Sequence, residues 1–232
     1  MSQGRLETNC LCSAIARDPQ TCRTLPRCYN PVKPVNKHLH SLQRTLKMSR
    51  TFVACKSKVH NRGNPPDAFL NEIIDWARSA PDEVFKPNPI HDIYSNVLAD
   101  LGPWRGLPHR KAAMLEVLRV LGGFESSWDW NADVDPTNPS SNTPCTEEAG
   151  IFQCSGNSMS FDKSLEDLLR HATGKKDCDT FRAETKSNHK FAIEYCARLL
   201  RFTVNHHGPV KRKEINPWLR RDAVSEFEGF LS

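Results

Sequence analysis

Residues 108–126 read Pro-His-Arg-Lys-Ala-Ala-Met-Leu-Glu-Val-Leu-Arg-Val-Leu-Gly-Gly-Phe-Glu-Ser, and this stretch decides the fold class. Met114, Leu118 and Leu121 recur at intervals of three and four residues, which places their side chains on one face of an α-helix. Glu125 follows Leu121 by four residues and continues the same apolar stripe. The pattern therefore predicts a core helix that carries a carboxyl group at its end, facing the core or a cleft.

Other parts of the chain show the same helical spacing without any alternation of strands and helices. The predicted helices span residues 66–80, 90–101, 162–172, 188–204 and 217–231. Between them, residues 126–160 have no periodicity and are rich in Asn, Asp, Ser, Pro and Gly. A loop of this length in a compact domain is usually functional. We expect a mainly α-helical domain with a long active-site loop, in which a small β-hairpin is conceivable.

The first 60 residues differ in composition from the rest of the chain. They hold eleven Lys and Arg against two acidic residues, although the whole chain carries a net charge of only +5. Asn61-Arg62-Gly63-Asn64-Pro65 is typical of a boundary. We therefore predict a basic, Cys- and Pro-rich extension over 1–65, with a short basic helix at 38–50, and a catalytic domain over 66–232. Such an extension can bind nucleic acid, an anionic wall polymer or a carrier protein, or can simply be solvated.

The cysteines also divide into two groups. Five of the nine lie in residues 1–60, and the others are Cys145, Cys154, Cys178 and Cys196. The even second group fits two disulfides formed in an oxidising compartment, and a Cys145–Cys154 bridge would stiffen the loop between them. Free thiols are the alternative. Zinc binding by the first group is a weaker interpretation, because its cysteines lack the usual ligand spacing.

Two further patterns partly resemble metal sites. We expect neither a metal nor a cofactor. The segment 129–135 has acidic or amide side chains at alternate positions, like the start of a calcium loop. It lacks the glycine and the final glutamate that such a loop uses. His206-His207 is more typical of a solvated or capping pair than of a metal site.

Two short motifs resemble those of the lysozyme-like superfamily, whose nearest members are goose-type lysozymes and soluble lytic transglycosylases. Those proteins carry a catalytic Glu-Ser at a helix end, followed by a Gly-Leu-Met-Gln turn. Here Glu125-Ser126 matches the first motif and Gly150-Ile151-Phe152-Gln153 matches the second. Residues 188–200 are similar to a helix that packs behind the site in that family. The resemblance covers roughly residues 108–205 and implies a lysozyme-like fold.

The resemblance implies that Glu125 donates a proton to the bridging oxygen of a glycosidic bond. A carboxyl half-removed from water keeps its proton near neutral pH. An inverting hydrolase needs a second carboxylate to activate water, for which Asp135 or Asp133 is the best candidate, with Glu147 and Glu148 as rivals. Goose-type enzymes often place that acid just after the Gln turn, where this chain has none. A lytic transglycosylase needs no second acid, because a hydroxyl of the sugar attacks.

Four other residues are expected to contact the substrate. Ser126 is expected there from its place in the motif. Gly150 would let the backbone approach a sugar closely, and Gln153 can hydrogen-bond a sugar amide or hydroxyl. Trp128 could stack on a sugar ring, although a place in the core is as compatible with its sequence position.

These features predict a peptidoglycan-degrading glycoside hydrolase of the muramidase or glucosaminidase type. The chain has no apolar run long enough for a membrane span, and its first thirty residues lack the apolar region of a standard signal peptide. A wall-degrading enzyme with these properties resembles antibacterial type VI secretion effectors. That resemblance implies export without a standard signal, action in the periplasm of a target bacterium, and an immunity protein that occludes the cleft.

Four alternatives stay open at this point. The first two are a lytic transglycosylase and a chitinase or chitosanase of the same superfamily. The third is a wall-binding module that kept the fold without catalysis. The fourth is a nucleic-acid-binding protein that uses the basic segment, although we expect glycan strands rather than nucleic acid as the partner.

Overall fold

The computed structural model describes residues 50–134 and 139–232, and it confirms the mainly α-helical class. Within these ranges the α-helices are α1 (Asp67–Ser79), α2 (Ile93–Asn96), α3 (Leu98–Leu101), α4 (Leu107–Ser126), α5 (Lys163–Thr173), α6 (Cys178–Ser187), α7 (His189–Phe202), α8 (Gly208–Lys211) and α9 (Arg221–Leu231). Short 3₁₀ helices occur at Ala54–Lys56, Asp82–Val84, Gly156–Phe161 and Asn216–Trp218. Two strands, β1 (Glu148–Ala149) and β2 (Cys154–Ser155), form an antiparallel hairpin.

Helix α4 is the centre of the domain. It packs against α1, α7, α8 and α9, and its side chains from Ala112 to Gly123 are all buried. The sequence predicted a single apolar stripe, but the helix is apolar or internally paired on nearly every face, which is typical of a helix inside a core. It ends sharply at Ser127, whose left-handed conformation (φ 57°) turns the chain back over the last turn.

The predicted helices agree with the structure except in two places. Segment 90–101 forms two short helices, α2 and α3, which meet at Val97. Segment 217–231 begins with a 3₁₀ turn, and α9 starts only at Arg221. Helix α6 was not predicted, because it buries only Phe181 and Thr185 and so shows no continuous apolar stripe.

Residues 50–65 pack onto the helical domain. Cys55 and Val59 are fully buried, and the Glu226 carboxylate of α9 accepts hydrogen bonds from the backbone N–H groups of Val53 and Cys55 at 2.7 and 2.6 Å. The predicted boundary after residue 65 therefore falls inside a packed unit, because two apolar side chains before it belong to the core. The predicted helix at 38–50 lies almost entirely outside the described residues. No helix in 50–134 or 139–232 is both long and apolar enough to cross a membrane.

A fully buried ion pair joins α4 to the segments around it. Arg119 donates to both carboxylate oxygens of Glu116, at 2.6 and 2.7 Å, and both side chains are inaccessible to solvent. Arg119 also donates to the carbonyl oxygens of Ser57 and Trp218, and Glu116 accepts from the backbone N–H of Arg220. Burial raises the pKa of Glu116, and the hydrogen bond from Arg119 opposes this. The pair thus provides hydrogen-bond partners for backbone groups in two segments that are distant in sequence, one at Ser57 and one at Trp218 to Arg220.

We expect Arg119→Met to lower the free energy of unfolding by about 3–5 kcal/mol, because it leaves the Glu116 carboxylate buried without its partner. Arg170→Met removes an arginine from the exposed pair with Glu166 on α5 and should cost less than about 0.5 kcal/mol. Urea denaturation followed by circular dichroism measures both. Equal losses for the two variants would show that the buried pair has no special role.

Candidate functional site

Glu125 lies in the last turn of α4 with 16% of its side chain exposed. This is the boundary position that the apolar stripe predicted. Its Oε1 atom is 3.3 Å from Nδ1 of His207, a residue that directly precedes α8. The carboxyl group is therefore oriented by a buried imidazole and still reaches solvent, so that a substrate oxygen could approach it.

Ser126 connects the end of α4 to the second motif. Its hydroxyl donates to the carbonyl oxygen of Ile151 at 2.8 Å and accepts from the backbone N–H of Asp129 at 3.1 Å. The two segments that the family resemblance singled out, 24 or more residues apart, are thus in direct contact. Ser126 holds them together through its hydroxyl group.

The turn 150–153 is tightly packed. Gly150 has φ +71°, and a Cβ atom added to it would lie 2.8 Å from the Thr185 side chain and 2.9 Å from the Thr185 carbonyl oxygen of α6. Both the backbone N–H and the side-chain Nε2 of Gln153 donate to the Gly150 carbonyl oxygen, at 3.0 and 2.9 Å. Both residues therefore shape the turn itself, and any contact of Gly150 or Gln153 with a sugar stays a prediction.

Two tryptophans follow Glu125. Trp128 belongs to the core, and Trp130 stacks on His189. Trp128 is only 5% exposed, packs against Gly123, and donates its Nε1–H to the Arg119 carbonyl oxygen at 2.9 Å. The expectation that Trp128 stacks on a sugar is therefore wrong for this structure, because its ring faces are covered by α4. Trp130 is half-buried and stacks in parallel on His189, with ring centroids 3.8 Å apart.

Two of the candidate second acids, Asp133 and Glu147, pair with cations of α6. Asp133 is exposed and lies 3.1 Å from Lys186 and 3.5 Å from Arg182, and its hydrogen bond to Lys186 lowers its pKa. Glu147 also pairs with Arg182. Glu148 lies in β1, and Asp135 falls outside the described residues. The ionised state of Asp133 suits a base, but its ion pairs occupy the carboxylate.

Within residues 50–134 and 139–232 one disulfide forms, and it is not the bridge considered from the sequence. Cys145 bonds to Cys178, which ties the segment before β1 to the first residue of α6. Cys154 and Cys196 are free and buried. The group of four cysteines therefore forms one disulfide rather than the two that it would fit, and Cys145 does not pair with Cys154, because Cys154 contacts His207 whereas Cys145 meets α6.

Cys154, Cys196 and His207 form a buried cluster behind Glu125. The Nε2 atom of His207 lies 3.9 Å from the Cys154 sulfur and 3.8 Å from the Cys196 sulfur. Burial by itself lowers the pKa of His207, but hydrogen bonds to Cys154 and Glu125 outweigh it and raise this pKa to about 10. The hydrogen bond from Cys196 lowers the pKa of Cys154, whereas burial raises that of Cys196.

His207 was missed as a functional residue. Its neighbour His206 differs sharply from it, since burial and then the charge of His207 lower the pKa of His206 to about 3. The expectation of a solvated or capping pair is wrong for His207, which is 2% exposed and contacts Glu125. Nothing in the sequence spacing signals this cluster, because three separate elements supply its members.

A surface cavity of about 400 Å³ lies next to the end of α4 and is lined by His60, Phe124 and Glu214. The His60 ring lies 5.4 Å from that of Phe124. Glu214 pairs with Arg212 at 2.7 Å, and that hydrogen bond raises the Arg212 pKa, with a smaller contribution from the Glu125 charge. No pattern in the sequence indicated this cavity, which combines an aromatic wall with the Glu214 carboxylate close to Phe124.

No protein-family model matches this chain, and comparison with curated proteins and with solved structures finds no match either. What the site does must therefore be argued from its own residues.

The packing of Gly150 can be tested against a second glycine with a similar backbone. Gly174 ends α5 at φ +74° and has no atom within 4 Å of an added Cβ. Gly174→Ala should cost about 1 kcal/mol because of its positive φ alone. Gly150→Ala should cost at least about 1 kcal/mol more, because its Cβ also meets the Thr185 backbone. Urea denaturation gives both values, and equal losses would contradict the close packing of the turn on α6.

Proposed function

We propose that this protein is a peptidoglycan-degrading glycoside hydrolase in which Glu125 is the general acid. The observation that carries the proposal is the hydrogen bond from Ser126 to the Ile151 carbonyl oxygen. It places a partly exposed carboxyl group at the junction between the end of a core helix and a tight turn. A proton donor in glycan cleavage needs this combination of fixed orientation and access to the bridging oxygen.

The surroundings of Glu125 support this role. Its side chain is 16% exposed, and the imidazole of His207 lies 3.3 Å from one carboxylate oxygen, where it can hold the orientation of the carboxyl group. The hairpin β1–β2 follows the helix end in sequence, and α7 packs behind the site through Cys196. These features agree with the lysozyme-like resemblance that the two motifs carry.

The second carboxylate has five candidates. Asp133, Asp135, Glu147 and Glu148 follow Glu125 in the polar segment 126–160, and Glu214 lines the neighbouring cavity. Asp133 would have to release Lys186 and Arg182 before it could activate a water. Glu214 would have to release Arg212. A muramidase or glucosaminidase of the inverting type requires one of the five to act as a base.

One observation favours a lytic transglycosylase as the second candidate function. Asp133, Glu147 and Glu214 are each paired with a cation, so none of these three carboxylates can activate water without first breaking an ion pair. In a transglycosylase the sugar's own hydroxyl attacks, and Glu125 would act first as an acid and then as a base. His207 would orient the same carboxyl group in both steps.

The biological setting follows from the substrate. A wall-degrading enzyme with a Cys145–Cys178 disulfide suits an oxidising compartment, such as the periplasm of a target bacterium. We propose that it acts there as an antibacterial toxin. A producing cell would then need an immunity protein, and the cavity beside Phe124 offers a concave surface for that protein to cover.

We expect Glu125→Gln to reduce the release of soluble fragments from purified peptidoglycan at least a hundredfold, because the amide cannot donate the proton to the leaving oxygen. Glu83→Gln, on an exposed carboxylate that pairs with Lys86 elsewhere in the domain, should leave the rate unchanged. If the Glu125→Gln variant releases fragments at the same rate as the unmodified protein, Glu125 is not the general acid.

Mass spectrometry of the same digests should separate the two reactions. Reducing-end products indicate a hydrolase and identify the bond, whereas anhydro-sugars indicate a transglycosylase. For a hydrolase, one of the variants Asp133→Asn, Asp135→Asn, Glu147→Gln, Glu148→Gln and Glu214→Gln should lower the rate at least tenfold, whereas a transglycosylase should tolerate all five. Chitin oligomers as substrate test the chitinase alternative, and digestion of chitin but not peptidoglycan would replace our proposal with it.

A further inference from the structure

We propose that Cys154, Cys196 and His207 bind a zinc-class divalent ion, which anchors the imidazole that contacts Glu125. Metal binding at this site stands without the glycan-cleaving function. The effect of the metal on cleavage rests on that proposed function.

The three ligand atoms converge from separate parts of the fold. Cys154 comes from β2, Cys196 from α7, and His207 from the loop before α8. Their two sulfur atoms and one ring nitrogen all lie within 4.8 Å of one another. This convergence does not come from local sequence, so an ion bound here would join three elements behind Glu125.

The spacing of these atoms fits a tetrahedral ion. Zinc binds sulfur at about 2.3 Å and imidazole nitrogen at about 2.1 Å, which places the two ligand atoms about 3.6 Å apart. The His207 nitrogen lies 3.9 Å from one sulfur and 3.8 Å from the other. The two nitrogen–sulfur distances therefore need to shorten by only a few tenths of an ångström, and the two sulfur atoms lie within 4.8 Å of each other. Two thiolates and one imidazole leave a fourth position for a water molecule.

The chemistry of the ligands selects the class of ion. Thiolates are soft ligands that favour zinc over magnesium or calcium, which prefer oxygen. All three side chains are buried, Cys154 at 1%, Cys196 at 0% and His207 at 2% exposure. A bound divalent ion would neutralise two thiolates in this dry setting, where unpaired charges are expensive.

The second ring nitrogen of His207 faces Glu125. A histidine that binds a metal through one ring nitrogen commonly donates its other N–H to a carboxylate. Here Nε2 faces the two sulfurs, and Nδ1 lies 3.3 Å from Glu125 Oε1. Glu125 would thus be the carboxylate that orients the metal-bound histidine, and the ion would in turn fix the position of the proposed acid.

Cobalt binding to the full-length chain provides the test, because a cobalt–thiolate bond gives an intense ultraviolet charge-transfer band. The starting variant carries Ser at the four cysteines before residue 50, so that those thiols contribute no signal. After mild reduction and removal of metal, we expect one equivalent of Co²⁺ and a charge-transfer band that Zn²⁺ displaces. Cys154→Ser, Cys196→Ser and His207→Gln should each weaken Co²⁺ binding at least tenfold.

Matched variants separate this site from other thiols. Cys55→Ser removes a buried free thiol outside the cluster, and Cys145→Ser with Cys178→Ser removes the disulfide. Both should retain the cobalt band. Glu125→Gln should weaken Co²⁺ binding about tenfold or more through the histidine, as loss of such an outer carboxylate commonly does. Glu83→Gln should leave it unchanged, and circular dichroism checks that each variant is folded.

The proposal is overturned if the reduced starting variant shows no cobalt–thiolate band, or if folded cluster variants keep the band at full strength. A Cys154–Cys196 disulfide, found by peptide mapping of the isolated protein together with no bound metal, would also overturn it. Loss of peptidoglycan digestion with an intact metal site would instead count against the glycan-cleaving function alone. Tight Co²⁺ binding that depends on both cysteines and His207 supports the site.

Discussion

The hydrogen bond from Ser126 to the Ile151 carbonyl oxygen is the contact on which the site depends. It holds the last turn of α4 against the turn 150–153, and so fixes two motifs that the chain separates. On one side it leaves Glu125 at the edge of the core. On the other side, the turn leads directly into Cys154, which contacts His207. His207 in turn contacts Glu125. A single junction thus connects the proposed acid with the buried thiol cluster.

Much of the fold could be predicted because it depends on periodic burial. The apolar stripe of α4 placed Glu125 correctly at the end of a core helix, since helical spacing fixes which side chains share a face. The cluster could not be predicted, because Cys154 and His207 are 53 residues apart and meet only through tertiary packing. The role of Trp128 could not be predicted from the sequence for a different reason. An aromatic ring suits a core as well as a sugar, and only its burial decides between them.

His207 changes the chemistry expected of the acid. From the sequence, we expected that partial burial alone would make the Glu125 carboxyl group a suitable proton donor. In the structure a buried imidazole contacts it, and burial and hydrogen bonds act on that imidazole in opposite directions. The proposed acid is therefore best regarded as a carboxyl–imidazole pair whose far side is anchored by two sulfur atoms. Its behaviour depends on what those sulfur atoms bind.

In the proposed reaction, Glu125 meets the bridging oxygen of a glycan strand. The most direct measurement is a crystal structure of the Glu125→Gln variant with a peptidoglycan tetrasaccharide. We predict the sugar chain across the end of α4, with a glycosidic oxygen within hydrogen-bond distance, about 3 Å, of the side chain at position 125. A tetrasaccharide bound elsewhere on the domain, with no glycosidic oxygen near that side chain, would contradict the account.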